Sequence, residues 1–325
     1  MSTLEPVAMP EKISPDMEKT TAKPRRKKKS LAGDAARSIS SPWASVAAIV
    51  IAVLWTIPTI GLLVTSFRDQ RAINRSGWWT AFGDPGAFTL ENYRQALAPG
   101  SSAGLGQYFI NTIVITIPAV ALTLFLSSMV AFVLARFSYR FNLTLLGVFL
   151  AANLLPPQAL LMPVFKMFRE IPLPTFMSEG GTMLNSFWAL ILVNTAFQMG
   201  FCTFVLSNYM KTLPYEIYES AQLDGASVWR QYWQLTMPLV RPAMAALATL
   251  QVTWIYNEFF WATVLISKGD KLPVTSALNN LRGQFFADTN LVAAGSIIVA
   301  LPVLIVFFVL QKQFVAGLTL GSTKG

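Results

Sequence analysis

The chain has 325 residues, 54% of them hydrophobic and only 13% charged, with a mean hydropathy of +0.49 and a formal net charge of +9. A soluble domain carries roughly 25% charged residues, so this chain cannot cover its surface in water and reads as an integral membrane protein. It has no histidine, and its one cysteine, Cys202, lies in an apolar stretch. That excludes His-liganded metal sites, a Ser-His-Asp triad, an intrachain disulfide and a Cys-based zinc site.

Residues 1–41 mix Pro, Ser, Thr, Glu and Lys without an apolar period, and include the run Lys23-Pro24-Arg25-Arg26-Lys27-Lys28-Lys29. They are expected to form a disordered, basic cytoplasmic tail. Beside a membrane-embedded body the basic run is drawn to anionic lipid rather than nucleic acid, and the segment lacks the apolar core of a signal peptide. Six long apolar stretches follow, at 42–67, 107–135, 141–165, 184–210, 243–267 and 291–311, with one acid among them. Each reaches the ~20 apolar residues that cross a bilayer as a helix, and none alternates as a barrel strand must. The expected fold is therefore an all-α membrane protein with six transmembrane helices. With the N-terminus inside, the cytoplasmic segments hold 16 Lys and Arg against 9 in the outer segments, which places both termini in the cytoplasm. Pro118, Pro156, Pro157, Pro163 and Pro302 fall within the stretches and are expected to interrupt or bend them.

Glu258 is the only ionisable residue well inside any stretch. Gln251, Trp254, Glu258 and Trp261 are spaced 3, 4 and 3, which places them on one face of a continuous helix. Aromatic planes beside an amide and a carboxylate suit a sugar, its C–H faces on the rings and its hydroxyls on the polar groups. The same pattern also reads as an interfacial tryptophan with a packed polar pair. Asn194 and Gln198 make a second polar pair at i, i+4, and Asn153, Gln158, Asn111, Thr112 and Thr116 add further polar groups. Such residues either hydrogen-bond between helices or line an aqueous path. One acid is a poor basis for proton coupling. The phosphate-binding pattern G-x-x-x-x-G-K-[ST] is missing, so an ATP-driven transporter would need its ATPase on another polypeptide.

The sizeable cytoplasmic segment between stretches is 211–242. Thr212 and Pro214 signal a helix start, and Asp224-Gly225 signals its end through a left-handed turn. Ser227 can cap a second short helix, Val228 to Leu235, after which Pro238 and Pro242 lead into the fifth stretch. Two short helices set at an angle, carrying exposed aromatics, form a knob suited to a partner's groove. An amphipathic loop on lipid headgroups would explain the aromatics, though not the glycine or the proline spacing.

This loop resembles the EAA loop of permeases in binding-protein-dependent ABC importers, written E-A-A-x3-G-x9-I-x-L-P. Here it reads Glu219-Ser220-Ala221, three residues ending in Asp224, then Gly225, nine residues, and Leu235-Thr236-Met237-Pro238. Further stretches resemble the smaller carbohydrate permease of the maltose type: Thr89-Leu90-Glu91-Asn92-Tyr93, Asn111-Thr112, Ala131-Phe132 through Arg136-Phe137, and Asn257-Glu258-Phe259 with Trp261. Gly317-Leu318-Thr319 with the terminal Lys324-Gly325 resembles that family's tail, which reaches toward the ATPase subunits.

The resemblance covers about 42–325 and implies a multi-pass permease of the bacterial cytoplasmic membrane. Its implied partners are a second permease, two ATPase subunits that bind ATP and Mg, an extracytoplasmic sugar-binding protein or lipoprotein, and a sugar, with no cofactor on this chain. Glu219 would make the charged contact with the ATPase cleft, Gly225 would permit the bend, and Pro238 would fix the join to the fifth span. Asn257, with Asn194, Gln198, Gln251, Trp254, Glu258 and Trp261, would belong to the substrate pathway. A permease for another solute such as glycerol phosphate is the alternative, although no Lys or Arg lies in the middle of a stretch to hold a phosphate.

Overall fold

The computed structural model describes residues 42–83, 86, 88–98, 104–178, 180–280 and 288–319, without the side chains of 280 and 310–319. The basic tail 1–41 and the pair Lys324 and Gly325 lie outside the described residues. Two compact units divide the chain, Met1–Ile57 and Pro58–Gly325. In the first, the described residues form one helix apolar on all sides, with Trp43 and Trp55 exposed. A soluble protein would hide such a surface; lipid covers it at no cost.

The elements in chain order are α1 (Pro42–Ser66), α2 (Gln70–Arg75), a 3-10 turn (Trp78–Gly83), α3 (Glu91–Leu97), α4 (Gly106–Arg136), α5 (Asn142–Leu154), a second 3-10 turn (Pro157–Leu160), α6 (Leu161–Glu170), α7 (Phe187–Met210) and α8 (Glu216–Leu223). Then come α9 (Val228–Tyr256), α10 (Phe260–Leu265), a 3-10 turn (Gly269–Lys271), α11 (Val274–Asn280) and α12 (Thr289–Thr319). The described residues contain no strand, only the isolated bridges Arg68–Phe88 and Pro172–Thr182.

Five of these helices, α1, α4, α7, α9 and α12, are long and apolar enough to cross a membrane. The third stretch is not one helix: α5 and the segment Pro157–Glu170 meet at 93°, and they make a sixth span only when taken together. Pro156 and Pro157 cause the turn, since neither can donate a backbone N–H and each pushes its predecessor out of the helical region. The other prolines correct the expectation of interruption. Pro118 and Pro302 lie inside unbroken helices, and Pro163 sits in the first turn of α6, where no N–H is needed.

α4 and α7 form the centre, with the most extensive contact in the fold. Ala119, Thr123, Ser127 and Ala131 recur every four residues on α4 and are all fully buried. A stripe of small side chains lets two helices approach closely, which is how packing is gained where lipid removes the hydrophobic drive. Ser127 Oγ donates across the contact to Met199 O at 3.2 Å. Gly200 serves the same end toward α5, because a Cβ there would strike Asn153 and the Phe149 carbonyl. α9 packs on α12, α4 and α7, and α12 packs on α3.

The two stretches that resemble family motifs near α3 and α4 act as ties. Asn92 Nδ2 donates to Ser66 O and Arg68 O, each at 2.9 Å, and Tyr93 OH pairs with Ser66 Oγ at 2.6 Å. The Thr89–Tyr93 segment thus fastens α3 to the end of α1. Asn111 Nδ2 donates to Asp270 O and Leu272 O, while Thr112 Oγ1 accepts from Val274 N. Asn111 and Thr112 therefore hold the connection between α10 and α11, and they are buried rather than facing an aqueous path.

Candidate coupling corner and polar residues of the spans

Helix α8 starts later than the Thr212 and Pro214 signals suggest. Thr212 Oγ1 donates back to Tyr209 O at 2.8 Å, so it closes α7 instead of opening α8, which begins at Glu216. Glu216 and Glu219 lie in the first turn of α8, where the unpaired N–H groups favour negative charge. The helix ends in a paired hydrogen-bond motif: Ala226 N bonds Ala221 O at 2.9 Å and Gly225 N bonds Gln222 O at 3.0 Å. Gly225 has φ +76°, the left-handed conformation that this motif requires and that side chains disfavour. Ser227 Oγ then accepts from Arg230 N at 3.3 Å, and Gln231 Nε2 clamps the turn by donating to Ala226 O at 2.9 Å.

The expected second short helix is not separate from the fifth span. Val228–Tyr256 is one helix, and Gln231–Thr236 within it is wound as a π segment. In an ordinary α-helix Pro238 would leave the Gln234 carbonyl unpaired and its ring would strike that group. The wider π turn absorbs the proline without breaking the helix. Met237 N bonds back five residues to Tyr232 O, and Thr236 Oγ1 donates to Gln231 O at 3.1 Å.

Sequence reasoning missed the residues that pin this corner. Tyr218 is fully buried although its neighbours on α8 are mostly exposed. Because Thr236 Oγ1 donates to Gln231 O, Tyr218 OH is the donor in its 2.9 Å bond to Thr236 Oγ1. Likewise Ser128 Oγ donates to Phe125 O, so Tyr232 OH donates to Ser128 at 2.7 Å. The Arg136 guanidinium lies over the Tyr218 ring at 3.4 Å and the Tyr215 ring at 4.7 Å. Three of these contacts join Tyr215, α8 and the start of α9 to α4, and the fourth ties α8 to α9. The signal available beforehand was the Ala131–Phe137 stretch, whose Arg136 makes two of these contacts.

The pinned corner projects an exposed surface. Glu219, Ser220, Asp224, Gly225 and Pro238 are exposed, whereas Ala221 and Leu235 are half-buried. Around them Leu223 is 86% and Trp229 58% exposed, with Tyr215 and Trp233 also on the surface. Apolar area of this kind on a charged loop marks a site that another molecule covers.

The polar residues of the fifth stretch do not form one face. α9 stops at Tyr256, where the Asn257 side chain competes with the backbone by donating to Thr253 O at 2.8 Å. Glu258, two residues ahead of α10, caps it, its Oε1 accepting from Trp261 N at 2.6 Å and its Oε2 from Ala262 N at 3.1 Å. The break separates Gln251 and Trp254 from Glu258 and Trp261, so the 3, 4, 3 spacing loses its meaning. Gln251 is buried with its Nε2 donating to Cys202 Sγ at 3.0 Å. Trp261 is buried against Phe197, and half-exposed Trp254 rests on Phe201. Asn194 is buried and turns its amide back to Leu190 O at 2.8 Å, while Gln198 is half-buried and Asn257 exposed. Only Trp254, Asn257, Glu258 and Gln198 retain open surface among these candidates.

Comparison with known proteins agrees with this architecture. Residues 96–319 match the family described as binding-protein-dependent transport system inner membrane component. The Osmoprotective compounds uptake permease protein GgtD of Synechocystis sp. is 33% identical, the match covering 86% of this chain and 91% of that relative. The Diacetylchitobiose uptake system permease protein NgcG of Streptomyces coelicolor is 29% identical, over 89% of this chain and 93% of the relative. Among solved structures, a chain of a bacterial ABC transporter involved in the import of the acidic polysaccharide alginate superimposes with a TM-score of 0.65 at 23% identity, over 84% of this chain and 98% of that one. The motif ties, the pinned corner and the matched span converge: the chain belongs to the family of inner-membrane components of binding-protein-dependent transport systems.

Proposed function

We propose that this chain is one of two permeases in an ATP-driven importer of carbohydrates, with both termini in the cytoplasm, and that the corner from Glu216 to Pro238 couples it to a separate ATPase. The observation that carries the reading is the pinned corner itself. Its exposed apolar surface and left-handed Gly225 sit on a base held to α4 by Tyr218, Tyr232 and Arg136. Two ATPase subunits would bind ATP and Mg, and their closure would push the corner. The push would travel along α9 as a stiff lever, because the π segment keeps that helix continuous past Pro238. An extracytoplasmic binding protein would deliver the solute to the opposite end, where the open surface of Trp254, Asn257, Glu258 and Gln198 offers rings and hydrogen-bonding groups. In this scheme Lys324 and Gly325 would reach the ATPase, and this chain would conduct without making or breaking a bond in its cargo.

Carbohydrate as the cargo is supported by the relative named for diacetylchitobiose uptake. The relative named for osmoprotective compounds favours a second reading, uptake of a compatible solute. The test is uptake of labelled mono- and disaccharides, with osmoprotectants in the same panel, by cells with and without this chain. Uptake of a saccharide that requires the chain is expected. Dependence confined to osmoprotectants would replace the carbohydrate reading, and purification without ATPase subunits would reject the importer.

A further inference from the structure

We propose that the cleft between the foot of α4, the start of α5 and the α7–α8 connection holds the phosphate of an anionic lipid headgroup, with Arg136 and Lys211 as its cationic partners. The cleft measures about 420 Å³ and is lined by Arg136, Lys211, Ser138, Asn142, Tyr215 and Leu143, with no acidic residue among its lining. That volume lies in the range of small-ligand sites.

The state of Arg136 is the central observation. Its guanidinium is half-buried and held flat by two tyrosine rings, at 3.4 and 4.7 Å. No acceptor among the described residues takes any of its N–H groups. Ring contact satisfies the charge over the face of the plane and leaves the edge, where the five donors lie, without partners. A fixed fork of this kind matches two phosphate oxygens. Lys211 supplies a second, mobile charge to the same cleft, and the Ser138 hydroxyl can donate a further bond.

A bilayer source is favoured over free phosphate by what surrounds the cleft. Leu143 at its rim is 83% exposed, and exposed Gly147, half-buried Leu150 and Leu154, also 83% exposed, follow it on the same face of α5. Acyl chains can lie along that surface while the headgroup turns into the cleft. A bound headgroup would bridge α4 to the connection leading into α8, joining the lipid to the corner that the ATPase is proposed to move. The assignment to the cytoplasmic leaflet rests on the coupling reading.

The test uses the complete complex in nanodiscs of equal phosphatidylglycerol and phosphatidylcholine, with lipid retained after mild extraction read by native mass spectrometry. Phosphatidylglycerol should be retained over phosphatidylcholine. A basic residue near a charged membrane contributes about fivefold in affinity, so Arg136→Gln or Lys211→Gln should each lower retention about fivefold and the pair about thirtyfold. Arg140, exposed in the same turn and outside the cleft lining, is the control; Arg140→Gln should change nothing. If Arg136→Gln does not assemble, Lys211→Gln decides alone. Equal loss in the Arg140 variant, or no loss in the Lys211 variant, would overturn the site. Displacement of the lipid by inorganic phosphate would overturn the lipid source. ATPase subunits counted in the same spectra report on the coupling reading separately, so either idea can fail without the other.

Discussion

At one end α9 is entered through a left-handed turn at Gly225 and a π segment at Gln231–Thr236, with one buried hydroxyl pair tying that segment to α8 and another tying it to α4. At its other end it stops at Tyr256, and three residues pass to α10 with one carboxylate, Glu258, capping the new helix. Proline is present at the continuous end and absent from the broken one. What decides continuity is therefore the hydrogen bonding available to the backbone: Thr236 and Met237 find acceptors five residues back, whereas Asn257 and Glu258 supply side-chain alternatives to the helix. A push applied at the first end should travel without loss, and the second end is where direction can change. A few element-terminal residues that absorb backbone rotation are sufficient for a hinge.

The largest expected effect comes from releasing the continuous end. Tyr218→Ala empties a fully buried ring site, a change that costs about 3–5 kcal/mol for large aromatic residues, and it also strands Thr236 and Arg136. The spans should still insert, because their apolar cores lie outside the corner. The purified complex should lose its ATPase subunits and its uptake. Tyr218→Phe keeps the ring under Arg136 and loses one hydrogen bond, about 1 kcal/mol, so it should retain both. Equal behaviour of the two variants would show that the ring site does not anchor the corner.

Next in size is the broken end. Glu258→Ala removes the acceptor for two backbone N–H groups, and loss of a helix cap costs about 0.5–2 kcal/mol. ATPase occupancy should be unchanged while uptake falls, and Glu258→Gln should be milder because its amide oxygen can still accept. Uptake by the alanine variant at the wild-type level would mean that the joint at Asn257 plays no part in transport. Loss of ATPase subunits would merge the two ends into one structural unit.

Legibility in the sequence follows the range of the interactions. The long helices could be read because each apolar run exceeds the bilayer thickness, and the Gly225 turn and Ser227 cap because their partners lie within five residues. The 93° turn was half legible: Pro156 and Pro157 announce a break without its angle. The π segment was invisible, since Thr236 is committed by Tyr218 from another helix. The stop at Asn257 was invisible for a different reason. An asparagine and a glutamate continue many helices, and only the carboxylate's reach to Trp261 and Ala262 turns Glu258 into a cap. The face assumed for Gln251, Trp254, Glu258 and Trp261 failed on that point alone. Asn111 and Thr112 were singled out correctly as polar outliers, but their partners at Asp270, Leu272 and Val274 are too distant in the chain to infer.

The smallest expected effect separates backbone from surface at Gly225. A Cβ built there meets nothing within 4 Å, so within this chain the only penalty on a side chain is the left-handed conformation, about 1–2 kcal/mol for an ordinary residue. Asparagine visits that conformation readily, and it is the common second choice at this helix position. Gly225→Asn should therefore leave the turn intact at a cost of a few tenths of a kcal/mol, whereas Gly225→Val, β-branched, should redirect the start of α9. If the corner works through its shape, Asn keeps ATPase occupancy and substrate-stimulated hydrolysis, and Val loses them. If a partner's wall lies against the glycine, the Asn side chain collides with it and both variants release the ATPase. Occupancy counted on the purified complex, with hydrolysis measured beside uptake, distinguishes these outcomes. Full coupling in both variants would remove Gly225 from the coupling element, leaving the ring of Tyr218 as the part of the corner that matters.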